Sequence, residues 1–490
     1  MATSESRMLD LRPIFLVIGV LLLILGGAML LPALADVAVG HPDWSVFLIS
    51  SVLTMFVGGG LALANYEGRR TDLSIRQAFV LTTLSWILTT VFGAIPFCFS
   101  ELKLSFIDAA FETMSGLTTT GSTVIVGLDK APPGILLWRS LLHWLGGIGI
   151  IVMGVAVLPM LKVGGMQLFR TESSDNSEKI LPRAAQIAGA IGWTYVLMTA
   201  LCAIAIWLAG MTPFEAINHA MAALATGGFS TSDNSISNWQ NPAIEWLLTL
   251  FMAIGGMTFT LMARALRGQP EPLWKDSQTR VYFGVIAAFS VALALWHSHV
   301  HGVPLGQALR EATFSVVSVM TTTGFMSVDY NLWGSFALVA FFLLTFVGAC
   351  TGSTGGGIKI FRFEILFLRV RGQARHLLTP HGVFALKYNG RAVPEEVPYA
   401  VSAFFYLYLG TWAAISLGLG LAGCDLITAT TGAATALSNV GPGLGDIIGP
   451  SGNFSTLPNS AKVMLTVGMM LGRLEFFTVY VLLSRRFWRN

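Results

Sequence analysis

Charge is scarce in this chain. Asp, Glu, Lys and Arg make up only 11% of its 490 residues, against 54% hydrophobic, which is too little polar surface to cover a soluble protein of this length. No sizeable soluble domain breaks the apolar sequence, so any cytoplasmic sensing has to come from another chain. The four cysteines, Cys98, Cys202, Cys350 and Cys424, form no Cys-x-x-Cys pair and read as small core residues. There is no His-Glu-x-x-His motif and no obvious membrane nucleophile with a partner base, which argues against an embedded enzyme. The string Gly418 to Gly423 spells a dinucleotide fingerprint but lies in an apolar segment with no strand before it. Basic loops without interleaved aromatics argue against a nucleic-acid partner.

What is present is a set of long apolar runs, near residues 13–34, 46–65, 78–99, 135–161, 185–210, 243–263, 281–296, 335–347, 399–421 and 463–483. Several reach the roughly 20 residues that a bilayer-spanning helix needs. Basic residues, among them Arg7, Arg12, Arg69, Arg70, Arg76, Arg170, Arg183, Arg264, Arg267, Lys275, Arg280, Arg369, Arg371, Arg375, Lys387, Arg391, Arg485, Arg486 and Arg489, fall in alternate connections. The positive-inside rule places those connections and both termini in the cytoplasm. Ala33-Leu34-Ala35 resembles a signal-peptide cleavage site, but the apolar run before it is too long, so the segment is expected to be retained. Ser173 to Lys179 reads as an ordinary solvated loop.

Four short polar strings ending in glycine interrupt the apolar sequence at intervals of roughly 100 residues: Ser115 to Gly121, Ala225 to Gly228, Thr321 to Gly324 and Ser438 to Gly441. Sixteen residues before each glycine stand Ser105, Thr212, Ala308 and Asp425, three of them good helix N-caps; thirteen before stand Asp108, Glu215, Glu311 and Thr428. Thr212-Pro213-Phe214-Glu215 combines a capping box with proline at the first helical position. From cap to string is about ten residues, roughly 15 Å of helix, half the hydrocarbon thickness. Each unit is therefore expected to be a half-helix dipping in from outside, followed by a non-helical return. Such backbone is tolerable at membrane depth only when buried in protein or lining a water-filled cavity.

The resulting fold class is all-α integral membrane, with four fused helix–pore-helix–filter–helix units in pseudo-fourfold arrangement, potassium-channel-like, plus two extra N-terminal transmembrane helices. The expected boundaries are 1–68 for the leading pair, 69–165, 166–270, 271–385 and 386–490. Carbonyls from four converging loops supply the weak neutral oxygens that a dehydrated monovalent cation needs. The ligands are expected to be carbonyls of Thr119, Thr120, Gly121, Thr226, Gly227, Gly228, Thr322, Thr323, Gly324, Asn439, Val440 and Gly441. Helix C-termini aimed at the centre add negative partial charge.

The four strings, the form Asn439-Val440-Gly441-Pro442-Gly443 and the two leading helices resemble the TrkH-type subunit of the Trk/Ktr/HKT superfamily over essentially the whole chain. That resemblance implies potassium uptake across a bacterial inner membrane, with K+ as the transported ion and no organic cofactor. It also implies a homodimer, embedded in membrane lipid, bound to a cytosolic TrkA-type nucleotide-binding ring. The basic stretch Arg362 to Arg391 is the expected docking face. The alternative, from another class, is a sodium- or proton-coupled secondary transporter with a midplane cation site built from broken helices.

Within the third unit, Gly348, Thr351, Gly352, Ser353, Thr354, Gly355, Gly356 and Gly357 mark a polar, glycine-rich interruption where a helix is expected to unwind; close helix packing is the other reading. By the resemblance these residues form an intramembrane gate. Arg473 is a charge inside an apolar run, read by the resemblance as projecting into the pore beneath the filter, and otherwise as a salt bridge to another helix. His297, His299 and His301 read as a solvated external loop in preference to a weak transition-metal site, so no transition-metal site is expected; His143 and His219 read as helix-packing residues in preference to a proton relay.

Overall fold

The apolar runs fold as helices, since a chain without water must satisfy its backbone within each segment. A computed structural model describes residues 9–66, 73–156, 180–382 and 384–489. Arg7, Arg69, Arg70, Arg170, the Ser173 to Lys179 stretch and the boundaries at 68/69 and 165/166 lie outside the described residues. Among those described, seven helices are long and apolar enough to cross a membrane, or nine if each of two bent pairs is one span.

The leading helices, Arg12–Ala28 continued by Leu30–Val39 and Trp44–Ala64, pack through small residues. A Cβ added at Gly19 would lie 2.6 Å from the Gly58 carbonyl oxygen, so the backbones touch. The pair is tied to the first unit by Asp36, whose Oδ1 accepts from the Gly134 amide at 2.6 Å.

Four units follow, each with a long helix, a short helix and a second helix. The long helices are Ile75–Gly93, Ile180–Leu208, Ser277–His301 and Glu396–Leu421; the short ones are Phe106–Leu117, Pro213–Leu224, Leu305–Met320 and Leu426–Ser438. The expected caps form. Ser105 Oγ accepts from the Asp108 amide, Asp425 from the Ile427 and Thr428 amides, and Thr212 and Glu215 close a capping box in both directions. The third short helix begins earlier than its neighbours, behind Pro304, with no side-chain cap. Proline sets its entry where the other three units use a hydrogen bond.

The second helix of each unit departs from expectation more than the rest. Only the first, Pro133–Ala156, is unbroken over its described length. The second unit bends by 106° between Pro242–Gly255 and Phe259–Leu266, and the fourth by 113° between Asn459–Arg473 and Phe477–Leu483. Adjacent Gly255 and Gly256 stand at one break, and Glu475, at φ 60°, at the other. The third is the expected interruption, irregular from Val347 to Lys359 between Ser335–Phe346 and Ile360–Leu378. A two-residue hairpin pairs Lys387 with Ala392 and Tyr388 with Arg391.

The histidine segment is also corrected. Ser277–His301 runs a turn further at each end than its apolar core, so His297, His299 and His301 are helical and His297 is buried.

Candidate functional site: a four-unit carbonyl ring

Each short helix ends in the same way. The amide of the residue before the string's glycine reaches back five residues: Thr120 to Ser115, Gly227 to Ala222 and Thr323 to Ser318, each at 2.8 Å, and Val440 to Thr435 at 3.1 Å. The preceding amide reaches back three, as in a Schellman ending. That ending needs a left-handed residue, for which glycine is the usual choice. Here the positions hold Thr119, Thr226, Thr322 and Asn439, at φ 51°, 51°, 62° and 56°. Three β-branched residues in this region are genuine outliers, each costing about 1–3 kcal/mol, and such strain clusters at functional sites.

The glycines two residues on also have positive φ, at 85°, 82°, 80° and 102°. Their contacts close a ring. A Cβ added at Gly121 would lie 2.1 Å from the carbonyl oxygen of Gly227, at Gly228 1.9 Å from that of Thr323, at Gly324 2.2 Å from that of Val440, and at Gly441 2.7 Å from that of Thr120. Every glycine thus abuts the carbonyl just before the next unit's glycine, and the fourth unit returns to the first. Strings roughly 100 residues apart in sequence meet at one level, and each junction has room only for glycine.

The ring has two different sides. On one, a cavity of about 220 Å³ touches all four glycines together with Ser122, Ser230 and Asp233. On the other lie the left-handed side chains and, against them, the interrupted segment of the third unit. Thr354 Oγ1 donates to the carbonyls of Leu224 and Gly255, at 2.9 and 3.0 Å, and Thr226 Oγ1 donates to Thr354 Oγ1 at 3.2 Å. The Gly356 amide donates to Thr322 Oγ1 at 2.7 Å, and a Cβ there would lie 2.3 Å from the Ser438 carbonyl. The segment is pinned at its neck, where the Gly348 amide donates to Ile358 at 2.9 Å. Its contacts reach the second, third and fourth units.

Arg473 supplies the link to the first. Its Nη2 donates to Thr119 Oγ1 and to the Thr354 carbonyl, both at 2.7 Å, while Nε and Nη1 have no partner among the described residues. Among the described residues Arg473 has no carboxylate partner for the salt bridge of the other reading; Glu475 pairs with the buried Arg362, whose guanidinium also lies 3.7 Å from the Phe404 ring centre. A second cation was missed by sequence reasoning. Lys359, at the end of the interrupted segment, donates to the Gly355 carbonyl, so two basic side chains stand on this side of the ring. Its position directly after a polar, glycine-rich break in apolar sequence was the available signal.

The first two strings are braced from behind. Arg139 and Glu112, both buried, pair at 2.8 Å; Arg139 also donates to the Ser230 carbonyl at 2.8 Å and to Thr123 Oγ1 at 3.2 Å, and Glu112 accepts from the Val124 amide at 2.9 Å. His143 bridges the same two units, 2.8 Å from the Gly116 carbonyl through Nδ1 and accepting from the Phe229 amide at 3.2 Å through Nε2. His219 lies 2.8 Å from the Glu215 carbonyl and 2.9 Å from Ser230 Oγ. Both imidazoles are held on two sides by hydrogen bonds.

Four pore-like loops contributed by one helical chain around a single ring define a fourfold pore-loop membrane protein. The cation transport protein family TrkH matches residues 44–489. Among similar proteins are the Trk system potassium uptake protein TrkI of Halomonas elongata, 46% identical over 98% of this chain and 97% of its own, and TrkH of Escherichia coli K12, 37% identical over 98% and 99%. The crystal structure of the potassium transporter TrkH from Vibrio parahaemolyticus superposes with a TM-score of 0.90 at 36% identity, covering 98% of this chain and all of that one. The chain belongs to the TrkH family and has its multi-pass helical membrane fold.

Proposed function

We propose that this chain takes up potassium across a bacterial inner membrane, passing the ion through the ring formed by Thr119–Gly121, Thr226–Gly228, Thr322–Gly324 and Asn439–Gly441. The carrying observation is the closed succession of glycine against carbonyl around all four units. A ring of backbone carbonyls replaces the hydration shell of a monovalent cation without binding it too tightly to leave. The names of the relatives, potassium uptake proteins of Trk systems, support the same ion.

The interrupted segment from Gly348 to Gly357 acts as the gate, with Arg473 holding it against the filter and setting a positive barrier to cations. By the same reading the chain works as a homodimer with both termini cytoplasmic, under a TrkA-type nucleotide-binding ring. Arg371, Arg375, Lys387 and Arg391 are exposed and suit that ring's docking; Arg362, buried with Glu475, does not belong to the face.

The test is tracer uptake into proteoliposomes with an imposed voltage and no sodium or proton gradient. Voltage-driven potassium entry is expected. A strict need for a second ion gradient would point to a coupled transporter.

A further inference from the structure

The last turn of Ser277–His301 carries two imidazoles that the ion path does not use. His297 and His301 lie four residues apart on one helical face, with their Nδ1 atoms 3.3 Å from each other. The far side of His297 is fixed: its Nε2 stands 3.2 Å from Glu311 Oε2 on the helix Leu305–Met320. Its ring stacks on Trp333 with centres 4.3 Å apart at 24°. An ionised carboxylate only accepts, so the proton of His297 sits on Nε2 and a lone pair on Nδ1 faces His301.

That spacing matches a metal edge. Zinc–nitrogen bonds of about 2.0–2.1 Å in a tetrahedral shell set neighbouring ligand nitrogens about 3.3 Å apart. A carboxylate accepting the other N–H of a ligating imidazole is the usual device for fixing its tautomer and raising its basicity. We propose that His297 and His301 form a binding site for a divalent transition-metal ion of the zinc class, with Glu311 orienting His297 from behind.

The surroundings favour a cation. Glu311 also accepts from Gln307 Nε2 at 2.8 Å and lies 3.9 Å from Arg310 Nη2, while Arg310 is itself bonded to Glu245 at 3.0 Å. Two carboxylates against one guanidinium leave the cluster net negative. His301 is exposed, so the ion enters from solvent on that side. Among the described residues no group of three or more His, Cys, Asp or Glu side chains is gathered to hold a metal. The protein ligands proposed are therefore these two imidazoles alone. His299, two residues along, projects from a different part of the helix and takes no part.

Calorimetric titration of the purified, tag-free protein with Zn2+ tests the site directly. The wild-type chain is expected to bind one ion more than His301→Ala, and His299→Ala to bind as the wild type does. Glu311→Gln is expected to keep the site but weaken it roughly 10–100-fold. Equal stoichiometry and affinity in the wild type and His301→Ala would overturn the proposal, and the 3.3 Å contact would then be a hydrogen bond between the two rings.

Discussion

Arg473 and Thr119 meet across 354 positions of sequence, the guanidinium Nη2 donating to the threonine hydroxyl at 2.7 Å while the same nitrogen donates to the Thr354 carbonyl. One side chain from the fourth unit thereby joins the first unit's string to the interrupted segment of the third. The contact uses the strained, left-handed Thr119, whose backbone turns its hydroxyl to the side of the ring opposite the cavity. Strain at the string and the placement of the segment are parts of one arrangement.

Removing that charge should increase conduction. At an effective dielectric of about 20, a unit charge about 10 Å from a passing ion raises its energy by about 1.7 kcal/mol, which corresponds to a rate change of somewhat more than tenfold. Arg473→Ala is therefore expected to raise potassium flux in proteoliposomes by roughly an order of magnitude. A folded but inactive variant would assign Arg473 a structural role instead.

Substitution at the four ring glycines should grade with the space available. Gly121→Ser and Gly228→Ser place a Cβ about 2 Å from a neighbouring carbonyl, at a φ that L side chains disfavour by roughly 1–2 kcal/mol. Both should lower discrimination of potassium over sodium in competitive uptake. Gly441→Ser, with 2.7 Å to the Thr120 oxygen, should be the mildest of the four. Intact selectivity in Gly121→Ser would remove that residue from the filter.

The brace behind the first two strings should behave as a buried pair. Glu112→Gln or Arg139→Met alone leaves an uncompensated buried group, at a cost of about 3–5 kcal/mol. The double variant should cost less than the sum of the two, since neither charge remains. Apparent Tm values of the four proteins in detergent close the cycle, and simple additivity would show that the pair is not coupled.

Charge reversal at exposed Arg371 and Arg375 should weaken co-purification with a cytosolic nucleotide-binding partner and leave the fold unchanged. Unaltered binding would move the docking face elsewhere. Arg362→Glu should instead lower apparent Tm, because it breaks the buried contact with Glu475.

The repeat was legible because its signals are local. A serine, threonine or aspartate cap and an acid in the first turn act within one turn of backbone, a glycine recurs at a fixed distance from them, and the caps at Ser105, Thr212 and Asp425 formed as read. The strained threonines were not legible. Nothing in Thr-Thr-Thr-Gly says which residue takes positive φ; that is decided by the four units meeting and by hydroxyl partners such as Arg473 and Gly356 that lie far away in sequence. The same holds for Glu475, which stands at the break just past the helix that ends in Arg473 and finds Arg362 more than 100 residues away. The breaks after Gly255 and at Glu475 were hidden inside apolar runs whose hydropathy gives no warning of a bend. Glu112 and Arg139 were missed because single charges in apolar helices carry no periodic pattern, whereas Lys359 stands outside a helix, at the end of the glycine-rich break.

The most direct test of the carbonyl ring is anomalous diffraction from crystals of the protein grown with Rb+ or Tl+ in place of K+. A peak is expected among the carbonyl oxygens of Thr120, Gly227, Thr323 and Val440, where the four units join. A protein that transports these ions but shows no anomalous peak at that ring would contradict it.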